Sequence, residues 1–414
     1  MIPKAELHVH INGTIRYELL TKLAKRNGIE ISDVYYDQEG NVNWVDYSDF
    51  HEAYSAGSAV VKNPEDFADV AYDYLRQCHE QGAIYVELMA SPDKSKRGGK
   101  GFDENLHGII DGIERAKRDF GIESRIILTA KRHRGPKDAW DMLRAAKKSL
   151  RDPRVRHHVT GFGMAGDEQV HRAIEFRDAF KFAKEKLGLR NTVHAGEALG
   201  ADGVWEVVNH LPIERIGHGV RSVEDEELVQ ELAERGLTLE VCLRSNMALG
   251  VYPEFKMHPI NELRKAGVKV TVNSDDPALF GGSIADEYKL AEKQFGMNMY
   301  QQLQLTKTAI EAAFVDDATQ YRLLKVVDKA FKCLDMGADE DHLDEGPIDK
   351  KGSVGKQLRG GVADFGKPGD DGYEDPTDFK GAVAKGLSEF RSKRGMTAND
   401  LTQPKKRGSA PGGP

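Results

Sequence analysis

The chain is poor in cysteine. Its 414 residues include only Cys78, Cys242 and Cys333, too scattered for a disulfide framework or a cysteine-rich zinc site. Excess positive charge is also missing. Lys and Arg number 59 against 67 Asp and Glu, for a net charge of -8, which argues against a nucleic-acid binder that relies on bulk attraction to phosphate. No apolar run is long enough to span a membrane, and the first residues lack the basic-then-apolar pattern of a secretory leader. The expected setting is therefore the cytoplasm, with no membrane and no nucleic-acid partner. No Gly-x-Gly-x-x-Gly follows the first extended stretch, which speaks against an open dinucleotide-binding sheet.

What is there suits a soluble enzyme with a sizeable core: 39% hydrophobic and 30% charged residues. Extended, β-branched or apolar segments alternate with helical stripes. They are expected as strands in the opening segment through His10, and at 83–89, 125–130, 158–164, 192–194, 215–219, 237–243 and 268–274. Helices are expected between them, for instance from the Asn63 cap and Pro64 to Gly82, at 106–120, 138–150 and 169–186, and again through about Leu334. Eight strands separated by helices predict an α/β fold, a (β/α)8 TIM barrel with extra helices, over residues 1–336. Beyond, at 337–414, Gly, Asp, Lys and Pro take over, and a mostly disordered tail is expected. Within it Phe379, Val383, Leu387 and Phe390 fall at helical spacing, so a short helix is expected at 378–394.

Residues able to bind a metal recur at the ends of these strands, where such a barrel places its active site. His8 and His10, spaced i and i+2, point to one side of the first strand. His194 follows the strand at 192, His218 closes the one at 215, and Asp275-Asp276 closes the one at 268. Three histidines and an aspartate suit a borderline cation such as zinc with a position left open for water. Glu197 is then a candidate proton carrier, with His218 and Asp276 placed to hold the water. Those residues point to metal-assisted hydrolysis and leave the substrate open.

The ordered segments Pro3–His10, Ala165-Gly166-Asp167-Glu168, His194-Ala195-Gly196-Glu197, Arg215–Gly219, Ser245-Asn246 and Ser274–Pro277 resemble those of the adenosine/adenine/AMP deaminase family, over roughly residues 3 to 330. The resemblance implies a (β/α)8 barrel that replaces the purine 6-amino group with oxygen and releases ammonia. It implies one Zn2+ per chain on His8, His10, His194 and Asp275, with Glu197 protonating purine N1. His218 would orient and deprotonate the attacking water, and Asp276 would hold the water and the N7 edge. The backbone N–H of Gly166 would reach N3, and Asn12 would stand where the family meets the substituent beyond the base.

Adenosine and 2′-deoxyadenosine are the expected substrates. Adenine, an N6-modified AMP or another adenosine derivative are the alternatives, because Asn12 lacks the carboxylate usual in adenosine deaminases. Two other function classes remain: a catalytically inactive barrel scaffold, and a metal-dependent hydrolase of amides or esters. The Pro-Cys-x-x-Cys zinc signature of the small cytidine-type deaminases is absent. Oligomeric state is not legible. Several residues receive bland readings. Trp44, Tyr47, Phe50 and Tyr54 are expected on the barrel exterior, with an apolar lid over a planar ligand as the alternative. Lys131-Arg132-His133 is expected to be a solvated strand-end cluster, His157-His158 a surface pair, and His258-Pro259 a helix start.

Overall fold

Eight parallel strands form one sheet in strict chain order: β1 (Lys4–His10), β2 (Ala83–Ala90), β3 (Glu123–Lys131), β4 (Val159–Ala165), β5 (Arg190–Ala195), β6 (Arg215–His218), β7 (Thr238–Val241) and β8 (Lys269–Val272). The computed structural model describes residues 2–31, Tyr36, Val42, Trp44, 47–92 and 101–340. Helices connect the strands, and the sheet closes on itself where the chain beyond β8 returns to β1. Val9 bridges Asp275, His10 N donates to Asp275 O at 2.9 Å, and Asp275 N donates to His8 O at 3.2 Å.

Side chains complete that seam. Asn273 Oδ1 accepts from Leu7 N at 2.8 Å, and Glu6 Oε1 accepts from Ser274 N at 2.7 Å and Ser274 Oγ at 2.6 Å. Tyr74 donates to the other oxygen of Glu6 from the helix Pro64–Glu80. Closure therefore sets the end of β1 beside Asp275. These are the first and last segments of the set of candidate metal ligands.

The helices follow their local signals. Asn63 Oδ1 accepts from Asp66 N at 3.0 Å and Asp66 Oδ2 accepts from Asn63 N at 3.2 Å, a reciprocal cap that starts Pro64–Glu80. Phe67, Val70, Ala71, Tyr74, Leu75 and Cys78 of that helix are buried, as its stripe requires. It packs closely on Phe102–Phe120 because Gly108 has no side chain; a Cβ there would lie 2.2 Å from Pro64 O. The helix expected at 169–186 is broken. Asp167 Oδ1 takes the N–H of Gln169 and Glu175 Oε1 takes that of Arg172, so a short 3-10 turn, Ala173–Phe176, precedes the helix Arg177–Leu187. Such side-chain bonds compete with the helical ladder for the same donors.

Ion pairs fill part of the barrel interior. The guanidinium of Arg215, 1% exposed, lies between the carboxylates of Glu87 and Glu240, with its Nε 2.6 Å from Glu240 Oε1, and over the Phe314 ring at 3.5 Å. Breaking a buried pair of this kind costs about 3–5 kcal/mol, since it strands the other charge. The last described helix, Asp317–Glu340, runs past the boundary expected at 336. Residues 341–414, with the expected tail and its short helix, lie outside the described residues. No described helix is long and apolar enough to cross a membrane.

Candidate active site

Three strand ends converge on one point. His8 and His10 sit on β1, His194 on β5, and Asp275 just past β8, with ligand atoms all within 4.8 Å of one another. His10 Nε2 lies 3.1 Å from His194 Nε2 and 3.4 Å from Asp275 Oδ1, and His8 Nε2 lies 3.5 Å from the same oxygen. Donors bound to one zinc at about 2.0–2.1 Å stand roughly 3.3 Å apart in tetrahedral geometry, so these spacings fit a small cation. Gly217 leaves room for two of the rings, since a Cβ there would lie 2.8 Å from His8 Cε1 and 3.2 Å from His194 Nδ1.

The chemistry of the donors agrees. His8 Nε2 is buried with no hydrogen-bond partner. Burial pulls the His8 pKa down, yet Asp275 and Glu240 lift it to about 10, so the cluster carries negative charge that a cation would answer. Burial holds His10 down at about 4, against the pull of Asp275, and burial with the neighbouring histidines keeps His194 well below the usual imidazole range. Two neutral imidazoles are thus ready as ligands. A second grouping, His8, His218, Cys242 and Asp275, overlaps the first. Its thiol is pushed well above the ordinary range by burial and donates to Glu240 O at 3.5 Å, which makes it the poorer donor set.

Beside these ligands stand the groups for proton work. Glu197, in the loop after β5, lies 3.6 Å from His218 Nε2 through its Oε1. Burial, then the charges of Asp275 and Glu168, raise its carboxyl well above the usual range. Asp276 is raised likewise, by burial and Asp275, and its Oδ1 is buried without a partner. Two carboxyls whose surroundings favour the protonated form, in one cleft, would suit donation to a basic heterocycle. His218 and Asp275 both adopt left-handed backbone, at φ 59° and 63°. This conformation is costly for residues with a Cβ and is typically found where surroundings force a functional geometry. Gly13 serves the same region: a Cβ on it would fall 1.8 Å from Asp276 Oδ1.

These groups share one open cavity of about 190 Å3, lined by His10, His194, Glu197, His218, Asp275 and Asp276. Gly166 also lines it, at φ 100°, and a Cβ there would lie 2.8 Å from His133 Nδ1. Trp44, Phe50 and Tyr54 do not sit on the barrel exterior as expected. Phe50 and Tyr54, on the helix Tyr47–Ser58, line the cavity together with Leu249. Phe50 stacks on Phe280 at 5.0 Å and Trp44 packs edge-on against both. This is the lid-like alternative. Nothing in their own spacing distinguishes a helix lying across the barrel mouth from one lying along its side.

The basic cluster differs from expectation too. Lys131, His133 and Arg134 line the cavity, while Arg132 is buried and donates from Nε to His171 O at 2.8 Å. His158 is buried against Glu114 at 3.2 Å, so only His157 of that pair is exposed. Asn12 is half-buried in the turn Ile11–Thr14 with its Oδ1 unpartnered, and it is not among the described residues lining the cavity.

Two further residues support the site: Glu240, which no local pattern marks, and Glu168, whose segment the resemblance includes without giving it a role. Glu240 Oε2 accepts from His8 Nδ1 at 2.8 Å, which leaves Nε2 for the metal. Glu168, buried, takes the N–H groups of Glu197 and Leu199 at 3.3 and 2.8 Å and so anchors the loop that carries the acid. Glu240 gives no signal along the chain, since its partner is 232 residues away. Replacing Glu240 with Gln, which keeps the shape and removes the charge, is expected to weaken metal binding by about 10–100-fold in competition with a chelator. Unchanged affinity would show that the His8 contact does not tune the site.

Comparison with known proteins adds three findings. Residues 3–330 match the adenosine deaminase family. The chain is 44% identical over 322 residues to an adenine deaminase of Agrobacterium fabrum, covering 78% of this chain and 96% of that protein. Among solved structures, an adenine deaminase from Arthrobacter aurescens superposes with a TM-score of 0.74 at 31% identity, covering 80% of this chain and all of the other. An amidohydrolase from Burkholderia ambifaria with bound zinc superposes with a TM-score of 0.72 at 27% identity, covering 83% and 93%.

Proposed function

This chain belongs to the adenosine deaminase family of purine deaminases, and on that basis we propose that it is a zinc-dependent adenine deaminase, forming hypoxanthine and ammonia from adenine and water. The observation carrying the choice of the free base is the 44% identity to an adenine deaminase along 96% of that protein's length. It favours the alternative over the adenosine expected from the sequence. Zinc is favoured by the three imidazoles and one carboxylate and by the zinc in the Burkholderia relative.

A divalent metal on His8, His10, His194 and Asp275 would supply Lewis-acid activation of water, lowering its pKa towards ~7. Glu197, held protonated by burial, would give its proton to N1 and make C6 electrophilic. Asp276, its protonated form favoured by burial, would donate to N7, and the backbone N–H of Gly166 would meet N3. His218 would hold the water facing C6. One hydrogen of the water leaves with the amino group as ammonia, and the other replaces the proton lost by Glu197, which closes the cycle. Phe50, Tyr54 and Leu249 offer apolar surface at the mouth, which helps to exclude bulk water.

A second reading has its own observation. Lys131, His133 and Arg134 on the cavity wall could meet a phosphate, which would favour an AMP derivative. Formation of the 6-oxopurine product from adenine, adenosine, 2′-deoxyadenosine, AMP and N6-methyl-AMP, measured in parallel, decides between them. Adenine is expected to have the highest kcat/KM, by about tenfold or more, a margin that one well-placed polar group supplies. A preference for AMP derivatives would overturn the first reading in favour of the second.

A further inference from the structure

Behind His218 runs a chain of hydrogen bonds whose direction is set at its far end. A backbone N–H can only donate. The N–H of Ile260, at the start of the helix Ile260–Lys265, approaches His258 Nδ1 at 3.3 Å and so makes that nitrogen the acceptor. A neutral imidazole that accepts at Nδ1 carries its proton on Nε2. His258 Nε2 faces Asn246 Oδ1 at 3.2 Å, and the amide oxygen accepts from it. With its oxygen used, Asn246 presents Nδ2 to His218 Nδ1, also at 3.2 Å. An amide NH2 cannot accept, so His218 Nδ1 must, and its own proton sits on Nε2. All three side chains are buried, so water cannot readily substitute for any link.

We infer that His258 and Asn246 are positioning residues that fix His218 in the Nε2–H tautomer, so that His218 presents a hydrogen-bond donor to the attacking water; this rests on the reading of His218 as the group that meets that water. The Nε2–H points into the site, 3.6 Å from Glu197 Oε1 and 3.9 Å from Asp275 Oδ2. In this state His218 holds the water through its oxygen as a donor and is not the base that the family resemblance implied. The relay also helps explain how His218 keeps its left-handed backbone, since its ring is held from behind by the stretch 246–260. His258 is thus more than a helix start: its ring transmits the polarity of a backbone amide across Asn246 to the active site.

Long-range proton–nitrogen NMR of the zinc-loaded, 15N-histidine-labelled protein reads the tautomer directly, with the His218 signals assigned by their loss in His218→Gln. The expected result is an unprotonated Nδ1 and a protonated Nε2 for His218. Asn246→Asp, whose carboxylate can only accept, is expected to reverse the pattern. An Nδ1-protonated His218 in the unaltered protein would overturn the inference whatever substrate the enzyme uses. Adenine turnover supplies the second reading. His258→Ala should lower kcat by about 10–100-fold with KM nearly unchanged, and His258→Gln, which can still donate to Asn246, should restore most of it. Equal loss in both variants, with the His218 tautomer unmoved, would reduce His258 to a packing residue. If adenine is not deaminated at all, the substrate reading fails, while the NMR result still decides the tautomer.

Discussion

Glu197→Gln is expected to lower kcat for adenine by about 10³–10⁴-fold while the metal content stays at the level of the unaltered protein. Glutamine keeps the size and the polar end of the side chain but has no acidic proton for N1. Without that proton C6 stays a weak electrophile, and water held beside it has little to attack. The surroundings of the native carboxyl favour this proposed role at neutral pH. Burial and the nearby charges of Asp275 and Glu168 raise its pKa well above the usual value, so the protonated form persists. The sign follows: activity that needs protonated Glu197 is present below the raised pKa and declines above it. Because Glu197 is not among the four proposed ligands, zinc analysis of the variant separates lost chemistry from lost metal. Near-normal turnover in Glu197→Gln would remove it from the role of acid.

Asp275→Asn is expected to lose both metal and activity, with turnover down by more than about 10³-fold, since Lewis-acid activation contributes several kcal/mol. Asparagine tolerates the left-handed backbone at φ 63° better than most residues, so the substitution tests charge more than conformation. The carboxylate is the only anion among the four proposed ligands, and its Oδ1 lies within 3.5 Å of both His8 and His10. Its removal leaves three neutral imidazoles with weaker hold on a divalent cation. Zinc per chain after gel filtration and adenine turnover with and without added zinc are the two measurements. A variant that retained a full complement of metal and normal turnover would place the catalytic ion elsewhere.

Much of this was legible along the chain, for reasons that differ by residue. His8 and His10 are two apart on a strand, and a period of two places both on one face whatever surrounds them. Asn63 and Pro64 start a helix through bonds made within one turn. The break before Ala173 was missed because the helical stripe of 169–186 says nothing about whether Asp167 and Glu175 will divert its first donors. The place of Phe50 and Tyr54 at the cavity is not legible because apolarity marks burial but does not say against what. His258 was set aside as a helix start, and it is next to one. Its second role depends on Asn246, 12 residues away, and on His218, a further 28 away.

The sequence by itself therefore determined the alternation of strands and helices and the eight-stranded count, and it offered the residues proposed here to bind a metal and move protons. Each of these rests on interactions within a few residues, or on residue chemistry that does not change with the fold. Only closure of the barrel decided which of them meet. It brought Asp275 against Val9, Glu240 beneath His8, the aromatic helix to the cavity mouth, and Asn246 and His258 behind His218. Those pairings depend on sequence-distant contacts and on the direction of single hydrogen bonds, neither of which local periodicity encodes.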